Sequence, residues 1–332
     1  MPPADDHATT LLKDTLVWDN HSCMPLRPDD HSYLEQLARC RDAGIDVVTL
    51  NLGMDLTSRS SHLDMLDSFK RWIDQNPDHY TVVRNVAEID QARRDGKLAI
   101  AFDLEGMALL DDGDLDLVEE LRSQGAFWML VAYNRNNRAG GGCLDEDTGL
   151  SRHGRAILAE MKRVGMVACC SHTGHRTALE VMEHADNPVI FSHSNPSAVF
   201  EHVRNIPDSL IRACAETGGV IGINGLGDFL GPGEDYAAMM VQHIDHVADL
   251  AGPEHVAISL DYVFDQSEVY DFIDKMRESF GDEMASQFTC RFAPPDTFPH
   301  IVAALLKKGY TEETVSKILG GNWLRVAQEV WG

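Results

Sequence analysis

The sequence predicts an α/β protein, a (β/α)8 TIM barrel with extra helices at the C-terminus. Short apolar segments alternate eight times with amphipathic helical patterns along the chain, and this alternation is typical of a parallel sheet covered by helices. Eight such units within 332 residues match the size of one barrel domain, which we expect to span residues 1–332. An open, doubly wound sheet is the alternative interpretation.

Each predicted strand centres on a short apolar run. Runs of this kind are typical of strands that are buried on both faces of a parallel sheet. The fifth and sixth runs both end in Ser-His, at His172 and His193. The eight predicted strands are 15–20, 45–50, 97–104, 127–132, 164–172, 187–193, 219–224 and 255–260.

The segments between these runs have apolar residues at helical spacing. In 61–76, for example, Leu63, Leu66, Phe69 and Trp72 fall on one side of a helix. The tail from Pro299 onward continues the helical pattern after the last strand, and it supplies the extra helices. The other predicted helical segments are 29–43, 80–95, 115–124, 151–164, 177–184, 197–204, 208–217 and 236–251.

Composition restricts the partners and the cellular location. The net charge is −25, from 28 basic and 53 acidic residues, which argues against nucleic acid and anionic membrane as partners. No apolar run reaches the roughly 18 residues of a membrane span, and the N-terminus lacks the pattern of a secretory signal. The seven cysteines form no C-x-x-C pair. We therefore expect reduced thiols, a cytoplasmic protein and a small-molecule substrate.

Chemically reactive side chains follow the predicted strands at their carboxyl ends. In a barrel these ends meet on one face, where active sites form. Histidine, cysteine and carboxylate ligands together suit zinc, and a carboxylate can join two ions. A lone histidine is more often structural than a ligand, but this group shares one position in the pattern. The residues at strand ends are His21, Cys23, Glu105, Tyr133, His172, His193 and Asp261.

Nine motifs in order give the chain a resemblance to a known family. They are DLEG at 103–106, YNRNNRA at 133–139, GLSRHG at 149–154, EMKRVGM at 160–166, CSH at 170–172, PVIFSHS at 188–194, RNIPD at 204–208, SLDY at 259–262 and GGNWLR at 320–325. With these motifs the chain resembles the membrane dipeptidase (renal dipeptidase) family of zinc peptidases, within the amidohydrolase-like metal-dependent hydrolases. The resemblance extends from about residue 15 to the end.

The resemblance implies a hydrolase with two Zn²⁺ ions that cleaves a dipeptide or a similar small carboxylate-bearing amide. Glu105 is expected to bridge the ions, His172 and His193 to hold one, and His21 with Cys23 to hold the other. The resemblance also implies a homodimer, and it assigns the proton of the attacking water to Asp261 and the substrate carboxylate to Arg204. We therefore predict Asp261, Glu105 and Tyr133 as catalytic residues and Arg204, Tyr133 and Asn224 as substrate-binding residues.

Two positions depart from the family pattern. The family has aspartate where this chain has Cys23, and histidine where it has Tyr133. Cysteine can bind zinc as a thiolate, and a phenol can donate one hydrogen bond to an oxyanion. Three alternatives stay open: a site with one ion instead of two, the same barrel with a non-peptide amide, lactone or other metabolite as substrate, and a catalytically silent binding protein. For Asn224, which ends the seventh strand, the alternative to pocket contact is a plain turn residue.

Overall fold

Parallel β-strands form the centre of the protein. The computed structural model describes residues 6–275 and 277–331, and ten strands lie within them. All of their pairings are parallel. The strands are β1 (Trp18–Cys23), β2 (Val47–Met54), β3 (Tyr80–Val82), β4 (Leu98–Glu105), β5 (Ala126–Leu130), β6 (Val167–Cys169), β7 (Val189–Ile190), β8 (Ile221–Asn224), β9 (Val256–Ser259) and β10 (Tyr262–Val263).

Hydrogen bonds close these strands into a ring. One sheet runs in the order β10-β1-β2-β4-β5-β6-β7, and β8 pairs with β9. Phe191, just after β7, connects to β8 by accepting from Gly222 N at 2.7 Å. On the other side, Asp261 N donates to His21 O at 3.0 Å, which joins the end of β9 to β1. The predicted (β/α)8 barrel is thus confirmed, and its eight strands are β1, β2 and β4 to β9.

Helices cover the outside of the barrel. They are α1 (Asp6–Asp14), α2 (Leu37–Asp42), α3 (Arg59–Gln75), α4 (Val86–Arg94), α5 (Asp116–Ser123), α6 (Arg152–Val164), α7 (His175–Glu183), α8 (Asp208–Glu216), α9 (Gly227–Leu230), α10 (Tyr236–Ala251), α11 (Val269–Lys275), α12 (Arg277–Phe280), α13 (Asp282–Gln287), α14 (Phe298–Lys308), α15 (Glu312–Ser316) and α16 (Asn322–Trp331). The last three are the predicted extra helices.

Burial explains why the apolar runs fold as strands. Every residue of β2 and β4 is buried, as expected for strands with helices outside and packed side chains inside. The C-terminal helix α16 contributes Trp323, which is fully buried and donates from Nε1 to Ile258 O of β9 at 3.1 Å. The C-terminal tail is thus part of the barrel's packing.

Two predicted helical segments differ in the structure. Residues 80–95, predicted as one helical unit, contain β3 before α4 begins at Val86. Residues 197–204, also predicted as helical, form turns and irregular chain. In both places pairing between strand segments replaces the helix: β3 pairs with β4, and Pro196 and Ile206, which flank the second segment, form an isolated parallel bridge.

Two further sequence predictions concern the chain as a whole. A single domain over residues 1–332 stays a prediction, and residues 1–5, 276 and 332 lie outside the described residues. Among the helices that the structure describes, none combines the length and the apolar character that a membrane crossing requires.

Candidate active site

The carboxyl ends of the strands bring the predicted metal ligands together. His21 and Cys23 lie in β1, and Glu105 is the last residue of β4. His172 and His193 each lie three residues after the end of their strands, β6 and β7. All five side chains come from elements that the ring of strands positions at one end of the barrel, as the sequence predicted.

Glu105 occupies the centre of this group. Its Oε1 atom lies 3.3 Å from His172 Nε2, 3.4 Å from His193 Nε2 and 3.6 Å from His21 Nε2. The same oxygen is buried and has no hydrogen-bond partner among the described residues. A buried carboxylate oxygen without a donor is costly unless a cation compensates it. Three imidazoles and one carboxylate oxygen therefore make a set of atoms that suits a divalent metal ion.

The histidine tautomers support this interpretation. His172 Nδ1 lies 2.7 Å from Asn134 Oδ1, and because an amide oxygen only accepts, Nδ1 carries the proton. The free electron pair of His172 then lies on Nε2, only 2.9 Å from His193 Nε2. Burial lowers the pKa of both imidazoles well below the usual range. Two neutral imidazoles with converging nitrogens are the arrangement in which histidines bind a metal.

Cys23 belongs to a second group with His21 and Asp261. The Cys23 Sγ atom lies 3.5 Å from His21 Nε2 and 3.9 Å from Asp261 Oδ1. Ligand atoms of these three residues lie within 4.8 Å of one another, and those of His21, Glu105 and His193 form a similar group. Burial raises the pKa of the Cys23 thiol to about 12. A cation bound by Cys23 would therefore displace the thiol proton.

The buried acidic groups draw positive charge into this end of the barrel. Burial, helped by the charges of Asp103 and Asp261, raises the pKa of Glu105 to about 8. Burial also opposes protonation of His21, but Asp103, Cys23 and Glu105 together outweigh it and raise the pKa of His21 well above the usual range. The pKa of Asp261 falls to about 2, because contacts with His21 and His193 outweigh its burial. The chemistry of the donor set thus fits a bound divalent cation.

Several residues orient the ligands, and the sequence analysis did not identify them. Asp103 Oδ2 accepts from His21 Nδ1 at 3.0 Å, which leaves Nε2 directed at Glu105. Asn51 Nδ2 donates to Asp103 Oδ1 at 2.9 Å and to Glu105 Oε2 at 3.2 Å. Ser192 Oγ lies 2.9 Å from His193 Nδ1. Such outer contacts fix the tautomer and angle of metal-binding histidines.

Strand alternation could have found one of these residues. Asp103 lies two residues before Glu105, so both side chains fall on the same side of β4. Asn134, in contrast, follows Tyr133 in a loop and has a left-handed backbone with φ of 62°. His172 and Asp261 also have left-handed backbones, with φ of 62° and 53°. Such conformations cost about 1–3 kcal/mol each and concentrate at functional sites.

Tyr133 stands directly beside the metal-ligand group. Its ring stacks on the His172 ring with centroids 4.2 Å apart, and it contacts the Phe280 ring edge-on at 6.1 Å. The half-buried carboxylate of Asp55 holds the Tyr133 backbone, because Tyr133 N donates to Asp55 Oδ2 at 3.0 Å. Gly106, next to Glu105, leaves the room for Asp55, since a Cβ there would lie 1.8 Å from Asp55 Oδ1. These contacts connect the loops that follow β2, β4 and β5.

Arg204 is the cationic residue of the cleft above the site. It lies in the turn region between β7 and α8, and its side chain lines the same cleft as Glu105 and Tyr133. The residue is 3% exposed, and its Nε and Nη2 atoms have no hydrogen-bond partner among the described residues. Two donors on one face of a guanidinium form a fork that matches a carboxylate.

Asn224 lies below the cleft surface. It is fully buried, and its Nδ2 donates to Asp261 Oδ2 at 2.8 Å while its Oδ1 accepts from Leu226 N at 2.6 Å. Both polar ends of this side chain are thus engaged within the protein. Contact between Asn224 and substrate stays a prediction, and the observed contacts indicate that Asn224 positions Asp261.

Comparisons with known proteins show the family and the fold of the chain. The family model for membrane dipeptidases, peptidase family M19, matches residues 7–331. Dipeptidase tcpJ of Claviceps purpurea is 26% identical over 287 residues, which make up 83% of this chain and 63% of that protein. The matched part of the chain therefore spans less than two thirds of the length of this relative.

Solved structures show the same barrel. An amidohydrolase from Pseudomonas aeruginosa superposes with a TM-score of 0.89 at 27% identity, covering 98% of this chain and 99% of that one. A metallopeptidase from Rhodobacter sphaeroides, solved with a phosphinate mimic of the dipeptide L-Ala-D-Ala, superposes with a TM-score of 0.77 at 20% identity. The second comparison covers 96% of this chain and 100% of that structure, and at this identity it shows the fold alone.

The contacts of Asp103 predict a role in metal affinity. Replacing Asp103 by Ala removes the acceptor that orients His21, so we expect zinc affinity to fall about 10- to 100-fold. Asp103→Asn, which keeps one acceptor oxygen for His21 Nδ1, should lose less. Competition with a chromogenic chelator would measure both affinities. Wild-type affinity in Asp103→Ala would contradict the role, provided that circular dichroism shows both variants to be folded.

Proposed function

This chain belongs to the membrane dipeptidase family (peptidase family M19), and we propose that it hydrolyses the amide bond of a dipeptide or a similar small carboxylate-bearing substrate. Members of this family are metal-dependent hydrolases. The observation that carries the proposal is the unpartnered oxygen of Glu105 among three imidazoles. Arg204, with two unpartnered donors, lies in the same cleft.

The ligand set supports two zinc ions. Glu105 would be shared between them, with His172 and His193 on one side and His21 and Cys23 on the other. When bound, zinc ions lower the pKa of a coordinated water and polarise the carbonyl that is attacked. The thiol of Cys23 suits this task, because thiolate is a common zinc ligand. It would supply the negative charge that a carboxylate supplies in the family pattern.

Asp261 would move the proton during hydrolysis. In this reaction a bond forms between the water oxygen and the carbonyl carbon, and the carbon–nitrogen bond breaks. The Oδ1 atom of Asp261 faces His21 Nε2 at 3.4 Å, and its Oδ2 is held by Asn224. Its carboxylate can thus take a proton from the attacking water and deliver it to the leaving nitrogen. Asn224 is the positioning residue for this transfer.

Tyr133 and Arg204 would bind two different parts of the substrate, the carbonyl oxygen of the amide and the carboxylate. The ring of Tyr133 is fixed by stacking on His172, and its hydroxyl is our candidate donor to the oxyanion that forms from the carbonyl. Arg204 would pair with the substrate carboxylate through its fork of donors. Binding at Arg204 places the amide over the ligand group, which reduces the entropy cost of reaction.

We also keep two proposals that depend on the family resemblance and on composition. The first is a homodimer, and the second is a cytoplasmic location with reduced thiols. All seven cysteines are free in the structure, which supports the proposal of reduced thiols.

Reloading with metal provides the main test of the proposed function. Protein stripped with a chelator should not hydrolyse dipeptides, and added zinc should restore hydrolysis of a panel that includes L-Ala-D-Ala. The matched control is Glu105→Gln, which keeps the shape of the side chain but removes its charge. We expect it to lose at least about a hundredfold in kcat/KM, because the metal contribution is several kcal/mol. A zinc-loaded protein that cleaves no member of the panel would refute the proposal.

Arg204 makes a separate prediction about the carboxylate. Arg204→Ala should raise KM about 10- to 100-fold for a dipeptide, since hydrogen bonds to charged groups contribute about 1.5–3 kcal/mol. For the same dipeptide with a C-terminal amide, Arg204→Ala should change KM little, because that substrate lacks the carboxylate. Arg204→Lys keeps the charge but loses the paired donors, so its KM for the dipeptide should lie between those of the wild type and Arg204→Ala. Steady-state kinetics on both substrates would decide, and an equal loss on both would exclude carboxylate recognition by Arg204.

A further inference from the structure

The cleft above the ligand group has apolar walls. Its interior has a volume of about 180 Å³. Twelve of its twenty lining residues are leucine, isoleucine, valine, phenylalanine, methionine or proline. They include Met54, Leu226, Phe229, Ile273, Phe280 and Phe292. A large apolar surface of this kind is what substrates with apolar groups bind.

Charge on these walls is limited to one available group. Besides the candidate metal ligands and Asp261, the charged residues among the described lining are Arg204 and Asp265. Asp265 is already engaged, because its carboxylate lies 3.3 Å from Arg27 Nη2 and accepts from Ser267 Oγ at 2.5 Å. Arg204 is thus the wall residue that remains for an anionic ligand.

The structure fixes Phe229 next to Arg204. The Arg204 guanidinium carbon lies 5.4 Å from the centre of the Phe229 ring. The neighbouring residue Asn205 donates from Nδ2 to the backbone oxygens of Phe200 at 2.8 Å and Phe229 at 2.9 Å. These bonds tie the loop that carries Arg204 to helix α9, which carries Phe229. The anion-binding group and an aromatic wall therefore keep a constant spacing.

From this pairing we propose that the site selects substrates whose carboxylate-bearing residue has a large apolar side chain, such as leucine, methionine or phenylalanine. The carboxylate pairs with Arg204 while the side chain packs on Phe229 and the adjoining wall at Leu226 and Phe292. This inference rests on the proposed function for the placement of the amide, and it adds the class of residue on the leaving side. Dipeptides with a small, polar or acidic residue at that position are poor substrates.

The size of the preference follows from the buried area. Each buried methylene favours binding by about fourfold, so a partly buried leucine side chain should be preferred over glycine by about 10- to 100-fold. An acidic side chain has the opposite effect, because the apolar wall leaves its charge without a partner.

The test compares matched substrates on the zinc-loaded enzyme. Values of kcat/KM are measured for Ala-Leu, Ala-Phe, Ala-Gly and Ala-Asp, with both configurations of the second residue. Calorimetry with N-acetyl-leucine and N-acetylglycine provides a readout that does not need turnover. We expect Ala-Leu to exceed Ala-Gly by about 10- to 100-fold, and N-acetyl-leucine to bind tighter than N-acetylglycine by a similar factor. Equal values for leucine and glycine in both measurements would overturn the inference.

Variants at Phe229 separate the wall from other effects. Phe229→Ser should reduce the leucine-to-glycine ratio about tenfold, while Phe229→Leu, which keeps an apolar wall, should retain it. The ratio cancels any effect on Arg204, because both substrates carry the carboxylate. An unchanged ratio in Phe229→Ser would overturn the assignment of Phe229. Hydrolysis without a leucine preference would refute this inference alone, whereas tight N-acetyl-leucine binding without hydrolysis of any dipeptide would refute the proposed function alone.

Discussion

The buried carboxylate of Glu105 is the constraint on which the arrangement of the other candidate-site residues depends. One of its oxygens lies among three imidazole nitrogens without a donor of its own, and the other is held by Asn51. An ionised carboxylate in a protein interior requires compensating positive charge. The barrel supplies the geometry for this, because strands from different parts of the chain end at the same place. The orienting contacts of Asp103 and Asn134 then leave the histidine nitrogens directed inward.

Above the metal-ligand candidates, the walls of the cleft are apolar, and Arg204 is the cation among the described wall residues. We therefore assign the proposed chemistry to a lower layer, the metal-ligand candidates and Asp261, and the proposed selectivity to an upper layer, the cleft walls. The layers are nevertheless connected. Tyr133 stacks on a candidate ligand and contacts Phe280 of the wall, and Asp55 holds the backbone of Tyr133 beside Gly106. In the proposed function, a substrate bound by the upper layer would thereby be presented to the lower one, where its amide would meet the ligand group and Asp261.

Local sequence patterns were sufficient for the barrel and for the metal-ligand candidates. Strands buried on both faces leave continuous apolar runs, and parallel strands share one carboxyl edge, so His172, His193 and Glu105 could be placed together. Contacts between distant segments could not be read this way. Residues 197–204 do not form the predicted helix; Pro196 and Ile206, which flank this segment, form a bridge, and Asn205 bonds to Phe229 O of a later segment. Strand β3 likewise forms only because it pairs with β4, and Asn224 turned out to hold Asp261 from below the cleft.

The central proposal is that Glu105 would help to hold two metal ions, with Cys23 as a ligand of one of them. Anomalous diffraction at the zinc absorption edge, on crystals of the zinc-loaded protein, tests it most directly. We expect two anomalous peaks beside the Glu105 carboxylate, one in contact with His172 and His193 and the other with His21 and Cys23. A single peak without contact to Cys23, or no peak beside Glu105, would contradict it.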